Sequence, residues 1–282
     1  MKRCSVVGVV IVYNPGEMLI NNISSYACYL DKLIIWMNSS LSSCLVKDLA
    51  DKYKDKLILL GDGENKGLSF ALNSSAKVAE DNGAQWLLTM DQDSYFSGEV
   101  GVFFDRVADH DQSGVAVVCP RHVTSAYAFE NDRARNVPWV MTSGNLVSLS
   151  VFDEIGGFDP DFFIDGIDID FCLKAVAANK TIIIDERACL IHELGEKTVW
   201  SFWFIRYQYV SHSPVRYYYI FRNYLVIMSR NYCHARFKRF LIIILVKQLV
   251  KSFMFEPRRF SSAMYICRGV FDFINKNKGK VR

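Results

Sequence analysis

Between Val6 and Cys119 the chain alternates short apolar runs with amphipathic stretches, and this alternation constrains the fold more than any other feature. Val6–Tyr13, Leu33–Met37, Leu57–Leu60, Trp86–Met90 and Val115–Cys119 read as strands. Between them, Glu17–Leu30 sets Leu19, Ile23, Tyr26, Ala27 and Leu30 on one helical face, and Cys44–Lys54, Leu68–Glu80 and Glu99–His110 continue the helical spacing. Strand–helix alternation of this kind predicts an α/β domain whose mostly parallel central sheet is flanked by helices. Ligands of such sheets bind beyond the carboxyl ends of the strands.

The chain has 282 residues, 51% of them apolar, which allows a large α/β domain with an appendage and excludes a disordered polymer. Eight cysteines are scattered without a CxxC pair, a pattern that suits reduced thiols in a cytosolic protein better than a disulfide framework. Met1-Lys2-Arg3 and the apolar run after it mimic a short signal peptide. The run has no small-x-small site and closes at Asn14-Pro15-Gly16, so a buried first strand is expected.

Charge is distributed unevenly. Residues 1–196 carry 16 Lys+Arg against 28 Asp+Glu, whereas residues 197–282 carry 17 against 2, so a net charge of +3 conceals an acidic body and a basic tail. Such a tail seeks an anionic surface. From about Trp200 aromatic residues interleave with arginine. Phe240–Val246 is an unbroken apolar run of seven, followed by Lys247 and Lys251. It is far shorter than the roughly 18 residues of a membrane span. Two readings stay open, a helix lying along a membrane surface and a core-facing helix with snorkelling lysines. Nucleic acid is the poorer partner, because these cations accompany an apolar helix and no nucleic-acid motif.

Three groups of residues carry chemistry. Asp91 and Asp93 stand two apart just past a strand, where they offer hard oxygen ligands to Mg2+ or Mn2+. His192 follows the strand-like Ala188–Ile191 and could complete such a site through a neutral imidazole. The second histidine of a zinc-protease helix is replaced by Glu196, which excludes that reading. Lastly, Asp159, Asp161, Asp165, Asp168 and Asp170 precede an apparent helix, Phe171–Ala178. Part of that cluster suits a helix N-terminus. The glutamate that closes a calcium loop is missing, and a carboxylate here could act as general base toward a hydroxyl.

These elements, in this order, resemble the inverting glycosyltransferases of family 2, whose nucleotide-binding fold is called GT-A. The resemblance rests on Val10-Ile11-Val12-Tyr13-Asn14-Pro15, Glu64–Asn73 and Asp91-Gln92-Asp93-Ser94. Thr142-Ser143-Gly144-Asn145, Gly156–Asp170 and His192–Glu196 complete it. Within the family the chain is most similar to bacterial rhamnosyltransferases, also in Ser213–Tyr219 with Arg222-Asn223. Two stretches differ from the family pattern, Met37-Asn38-Ser39-Ser40 after the second strand and Ile167-Asp168 with Lys174 in the acidic cluster.

The resemblance implies a GT-A catalytic domain over 1–196 and a basic, helical, membrane-associating region over 197–282. It implies dTDP-L-rhamnose as donor and a lipid-linked cell-surface polysaccharide, of O-antigen or capsule type, as acceptor. Asp93 and His192 would bind the metal with Asp91 beside the nucleotide. Tyr13, Asn14, Asn38, Asn65, Lys66 and Gly67 would line the donor pocket. Gly144, Asn145, Asp165, Arg216, Arg222 and Asn223 would face the acceptor, and Asp168 would be the base, with Asp170 and Asp165 as substitutes. Such an enzyme is expected in the cytoplasm, peripheral on the inner face of the membrane. The alternatives are a UDP-hexose or galactofuranose donor, or a non-catalytic membrane-bound sugar-nucleotide-binding protein. A nucleotidyltransferase would carry a glycine-rich stretch near its first strand, where only Gly16 stands.

Overall fold

A computed structural model describes residues 4–107, 113–123, 135–192, 197–202 and 205–281, and the chain forms two compact units. The first comprises residues up to 160 together with 167–193, and the second comprises 161–166 and 194–282.

The first unit opens with β1 (Val6–Val12), whose side chains are buried except for half-buried Ile11, the pattern of a central strand covered on both faces. Helix α1 is only Leu19–Ser24, followed by a 3-10 turn at Ala27–Tyr29, although the spacing predicts one helix over Glu17–Leu30. The hydroxyls of Ser24 and Ser25 donate to the carbonyls of Ile20 and Asn22, and this local competition ends the helix early.

Then come β2 (Lys32–Met37), α2 (Ser43–Tyr53), β3 (Leu57–Leu60), α3 (Leu68–Asp81) and β4 (Trp86–Asp91). The Ser42 hydroxyl caps α2 by accepting from Leu45 N. Next are β5 (Ser94–Gly98), unforeseen in the sequence, and α4 (Val100–Arg106), with the rest of the expected Glu99–His110 helix outside the described residues past 107. The unit continues through β6 (Val115–Val123), β7 (Arg135–Asn136), β8 (Asn145–Ser148), α5 (Leu149–Glu154), α6 (Ile167–Ala177) and β9 (Thr181–His192).

The strands form one sheet in the order β3-β2-β1-β4-β8-β6-β9-β5, with β7 also on β9. β3, β2, β1 and β4 run parallel, whereas β8 is antiparallel to both β4 and β6. Helix α3 packs on β1, β2 and β4, and α4 and α6 pack on β9. The main core runs from Val10 and Ile35 through Trp86 and Leu88 to Phe96, Phe103 and Leu190.

The second unit contains an antiparallel hairpin, β10 (Lys197–Phe202) with β11 (Ile205–Val210), and three helices, α7 (Pro214–Ser229), α8 (Ala235–Met254) and α9 (Arg259–Ile274). Pro214 opens α7 at a position where its missing N–H costs nothing. Tyr217, Ile220, Phe221, Leu245 and Ile266 form the core between the helices. At Gly269 a Cβ would lie 2.6 Å from the Tyr218 carbonyl oxygen, so only glycine lets α9 approach α7 so closely. Buried Glu256 accepts from the Tyr217 and Ser211 hydroxyls and from His212 N, which ties the α8–α9 turn to the start of α7.

The sequence reading divides the chain at 196/197, whereas residues 161–166 belong structurally with the second unit. Asn223 Nδ2 donates to the carbonyls of Ile164 and Asp165, Arg222 Nη2 donates to Asp161 O, and Phe163 stacks on Tyr219. These contacts link 161–166 to α7.

Candidate active site

Four chain segments meet at the carboxyl ends of the parallel strands. Past β1, Tyr13 is exposed and Asn14 adopts a left-handed conformation, φ 46°, with its N–H on the Ser39 hydroxyl at 2.7 Å. Past β4, Gln92 grips the backbone of Tyr13 from both sides, its Oε1 accepting from Tyr13 N at 2.8 Å and its Nε2 donating to Tyr13 O at 3.1 Å. Asn22 Nδ2 fixes the Gln92 carbonyl from below at 3.0 Å. The middle residue of the Asp91-Gln92-Asp93 triplet thus anchors the two carboxylates to the neighbouring strand end.

On the other side Asn38 is buried. Its Oδ1 accepts from Trp36 Nε1 at 3.1 Å and from Lys66 N at 3.3 Å, which fastens the 62–67 loop to the end of β2. Within that loop Asn65 Oδ1 accepts from Gly67 N, and Lys66 Nζ pairs with Asp62 at 2.6 Å and lies over the Phe70 ring. The hydrogen bond from Lys66 holds the Asp62 carboxyl below its ordinary pKa and raises that of the lysine. The structure therefore brings Tyr13, Asn14, Asn38, Asn65, Lys66, Gly67, Asp91 and Asp93 to one sheet edge. It gives Asn38 the role of a buried pin rather than an open contact.

Asp91 is half-buried and Asp93 exposed, and Asp91 N donates to the Ser143 hydroxyl at 3.1 Å. Gly144 N donates to Thr89 O at 2.7 Å. Gly144 has φ +81°, and a Cβ there would meet Pro120 Cγ at 2.9 Å. Its glycine is required by the backbone and by packing. Asn145 is buried, with Nδ2 on Met141 O. Gly144 and Asn145 thus stand at the start of β8, held by backbone and side-chain bonds to Thr89 and Met141.

A cleft of about 460 Å³ beside the triplet is lined by Glu17, Met18, Asn21, Gln92, Asp93 and Tyr95, among others. Two carboxylates at a strand end suit Mg2+ or Mn2+, which take one or two protein carboxylates and complete their shell with water and substrate phosphates. Among the described residues no three His, Cys, Asp or Glu side chains converge on one point. The backbone of His192 pairs with Ser94 in the sheet, while its side chain, and Glu193–Glu196 after it, lie outside the described residues.

Helix α6 begins at Ile167, four residues before the expected Phe171, so Asp168 and Asp170 stand in its first turn. Asp168 is half-buried, and its Oδ1 accepts from Ile169 N. Asp170 is fully buried and faces Lys174 Nζ at 3.7 Å. Burial beside these two carboxylates lifts the Cys172 thiol to about 12, an inert group. None of the eight cysteines, all among the described residues, forms a disulfide.

Asp165, Arg216, Arg222 and Asn223 lie in the second unit. Asp165, at φ 62°, is clamped by the Arg216 guanidinium at 3.0–3.2 Å. Burial raises its pKa and the arginine opposes the rise. Arg222 is 2% exposed and Asn223 fully buried. Arg222 donates to the carbonyls of Gly279 and Asp161, to Asn223 Oδ1 and to the Tyr218 hydroxyl. Both side chains fasten the second unit internally, and nothing in an Arg-Asn dipeptide reveals that beforehand.

Sequence reasoning missed Gln92, Asn22, Ser39 and Ser143. Gln92 was visible as the residue between two aspartates, but its partner lies 79 positions away.

The chain matches no established family profile. It is 26% identical over 249 residues to the dTDP-rhamnosyl transferase RfbF of Shigella flexneri, covering 81% of each chain. Its fold is similar to the mannosyltransferase PcManGT of Pyrobaculum calidifontis, solved with GDP-Man and Mn2+, at a TM-score of 0.64 and 12% identity over 98% of this chain and 89% of that one. It is also similar to GalNAc-T7, solved with UDP, GalNAc and Mn2+, at a TM-score of 0.55 and 12% identity. That match covers 67% of this chain and 43% of the longer one. The likeness in sequence to RfbF and in fold to these transferases supports a protein similar to GT-A rhamnosyltransferases.

Proposed function

We propose that the protein is a metal-dependent inverting transferase that moves L-rhamnose from dTDP-L-rhamnose to a hydroxyl of a lipid-linked polysaccharide on the cytoplasmic side of the membrane. The observation that carries this reading is the Gln92–Tyr13 clasp, which holds Asp91 and Asp93 at the carboxyl ends of parallel strands. The donor assignment rests on the likeness to RfbF.

Tyr13 and the 65–67 loop border the nucleotide, and Asp91 and Asp93 hold the cation. When bound, that ion neutralises charge on the leaving diphosphate. Asp168 accepts the proton of the acceptor hydroxyl. The hydroxyl oxygen bonds to the anomeric carbon from the face opposite the diphosphate, whose bond to that carbon breaks with both electrons leaving on phosphate oxygen. One displacement inverts the anomeric configuration.

One observation is compatible with a second donor class. Asn38 is buried with its Oδ1 bonded to Trp36 and Lys66, so this atom does not discriminate a nucleobase. Transfer from a UDP-hexose fits that equally well.

The test is nucleoside-diphosphate release from a panel of nucleotide sugars, with and without chelator. Release from dTDP-L-rhamnose that stops with chelator and returns with Mn2+ is expected, as is an Asp93→Asn protein that needs at least about tenfold more Mn2+. Preference for a UDP-hexose would keep the class and replace the donor. Full release in chelator would remove the metal from the mechanism.

A further inference from the structure

Helix α8 is 20 residues long, about 30 Å at 1.5 Å per residue, and it is apolar on more faces than it buries. Its buried residues, Leu241, Leu245 and Ser252, recur four and seven apart and form one stripe toward α7 and α9. On the opposite stripe Ile242, Ile243, Val246, Val250 and Phe253 are each 46–53% exposed. A helix apolar all round is normally buried all round, so this outer face calls for a partner.

Charge narrows the choice of partner. Arg236, Arg239 and Lys247 are exposed on α8, and the helix contains no acidic residue. Helix α9 repeats the pattern, with Phe260, Met264, Phe271 and Ile274 exposed on one stripe at spacings of four, seven and three. Its single acid, Asp272, is bonded to the Tyr218 hydroxyl and Asn277 Nδ2. Residues 197–282 carry 17 cations against 2 anions. A second copy of this chain docking face to face would oppose like charges across the contact. An anionic bilayer would meet the same cations with opposite charge and the apolar stripe with acyl chains. Among the described residues no helix is long and apolar enough to cross a membrane, so the contact is with one leaflet.

We propose that the outer face of α8, assisted by the exposed stripe of α9, docks the protein on an anionic membrane surface with Ile242, Ile243, Val246, Val250 and Phe253 inserted at the headgroup–acyl boundary. This inference stands on the second unit alone and does not depend on the transferase reading.

The experiment is co-sedimentation of the full chain with vesicles of phosphatidylcholine, with or without phosphatidylglycerol. Binding should require phosphatidylglycerol and weaken as salt rises. Arg236→Gln with Arg239→Gln should reduce affinity about fivefold per residue, the ~1 kcal/mol of each cation near such a surface. Ile243→Asp with Val250→Asp should abolish binding, while thermal melting and nucleoside-diphosphate release toward a soluble acceptor stay unchanged. Undiminished vesicle binding by both double variants would overturn the proposal. So would a dimer in sedimentation equilibrium that Ile243→Asp with Val250→Asp dissociates, which would assign the face to a second copy.

Discussion

Gln92 and Tyr13, 79 positions apart, share two hydrogen bonds that close one side-chain amide onto one residue's backbone. The pairing sets the spacing between the end of β1 and the carboxylates that follow β4. Net hydrogen bonds contribute about 1 kcal/mol each, and this pair is exposed to solvent, so its removal should barely affect folding. Gln92→Ala is expected to raise the donor KM about tenfold, equivalent to about 1.4 kcal/mol, with a melting temperature close to that of the parent. Gln92→Glu keeps the acceptor toward Tyr13 N but loses the donor toward Tyr13 O, and should fall between the two. A Gln92→Ala protein that melts several degrees lower with an unchanged KM would make the clasp structural only.

Asp168 and Asp170 share the first turn of α6 but differ in burial, and their variants should fail differently. Asp168→Asn should lower kcat by ~100- to 10,000-fold with the fold intact, the usual range for a positioned base. Asp170→Asn removes a buried carboxylate and leaves Lys174 without its ion-pair partner. Roughly 3 kcal/mol of stability should be lost there, visible in denaturant melts. The reverse pattern, with Asp170→Asn stable but inactive, would reassign the base.

Much of the parallel half of the sheet was legible because each strand there is a continuous apolar run bounded by turns. Leu57–Leu60 is found as expected, and β4 differs from expectation only by including Asp91. The mixed half was harder to read. Strand β5 directly follows Asp93, and its short sequence, Ser94 to Gly98, has no apolar run to mark it. It pairs with β9, nearly a hundred positions away, and no local signal specifies such a partner. At the candidate site, the aspartates and Asn65-Lys66-Gly67 stand out in the sequence because their residue types announce themselves. The residues that position them, Gln92, Asn22 and Ser143, act through backbone groups distant in sequence. For the same reason Arg222 and Asn223 could not be recognised as fasteners until 161–166 was seen beside them.

Arg222 offers a direct test of its internal role. Its guanidinium donates to two carbonyls, an amide oxygen and a hydroxyl while 2% exposed. Arg222→Ala removes all four bonds at once, and hydrogen bonds to a charged group contribute about 1.5–3 kcal/mol each, so severe destabilisation is expected. Arg222→Lys supplies the charge but not the planar fork and should rescue only part of the loss. Both effects should appear in denaturant melts without any substrate. A stable Arg222→Lys protein whose only defect is a raised acceptor KM would restore the acceptor-binding reading.

The last prediction concerns pH and the second unit alone. The His212 ring packs edge-on against Tyr217, and its Nδ1 is buried. Burial, together with the nearby positive charges of Lys251 and Arg216, lowers its pKa from the ordinary 6.5 to about 4, against the opposing pull of Glu256. Between those values the unfolded chain binds a proton at this site that the folded chain does not. Stability therefore rises with pH across the interval, and it is lost as pH falls from about 6.5 toward 4. Other groups titrate over the same range, so the informative quantity is the difference between the parent and His212→Phe, which keeps an aromatic ring against Tyr217 and removes the titration. The parent should lose more of its melting temperature between pH 7 and pH 5 than His212→Phe does. Parallel losses in the two proteins would show that His212 is protonated equally well folded and unfolded, and that its packing against Tyr217 does not exclude the charge.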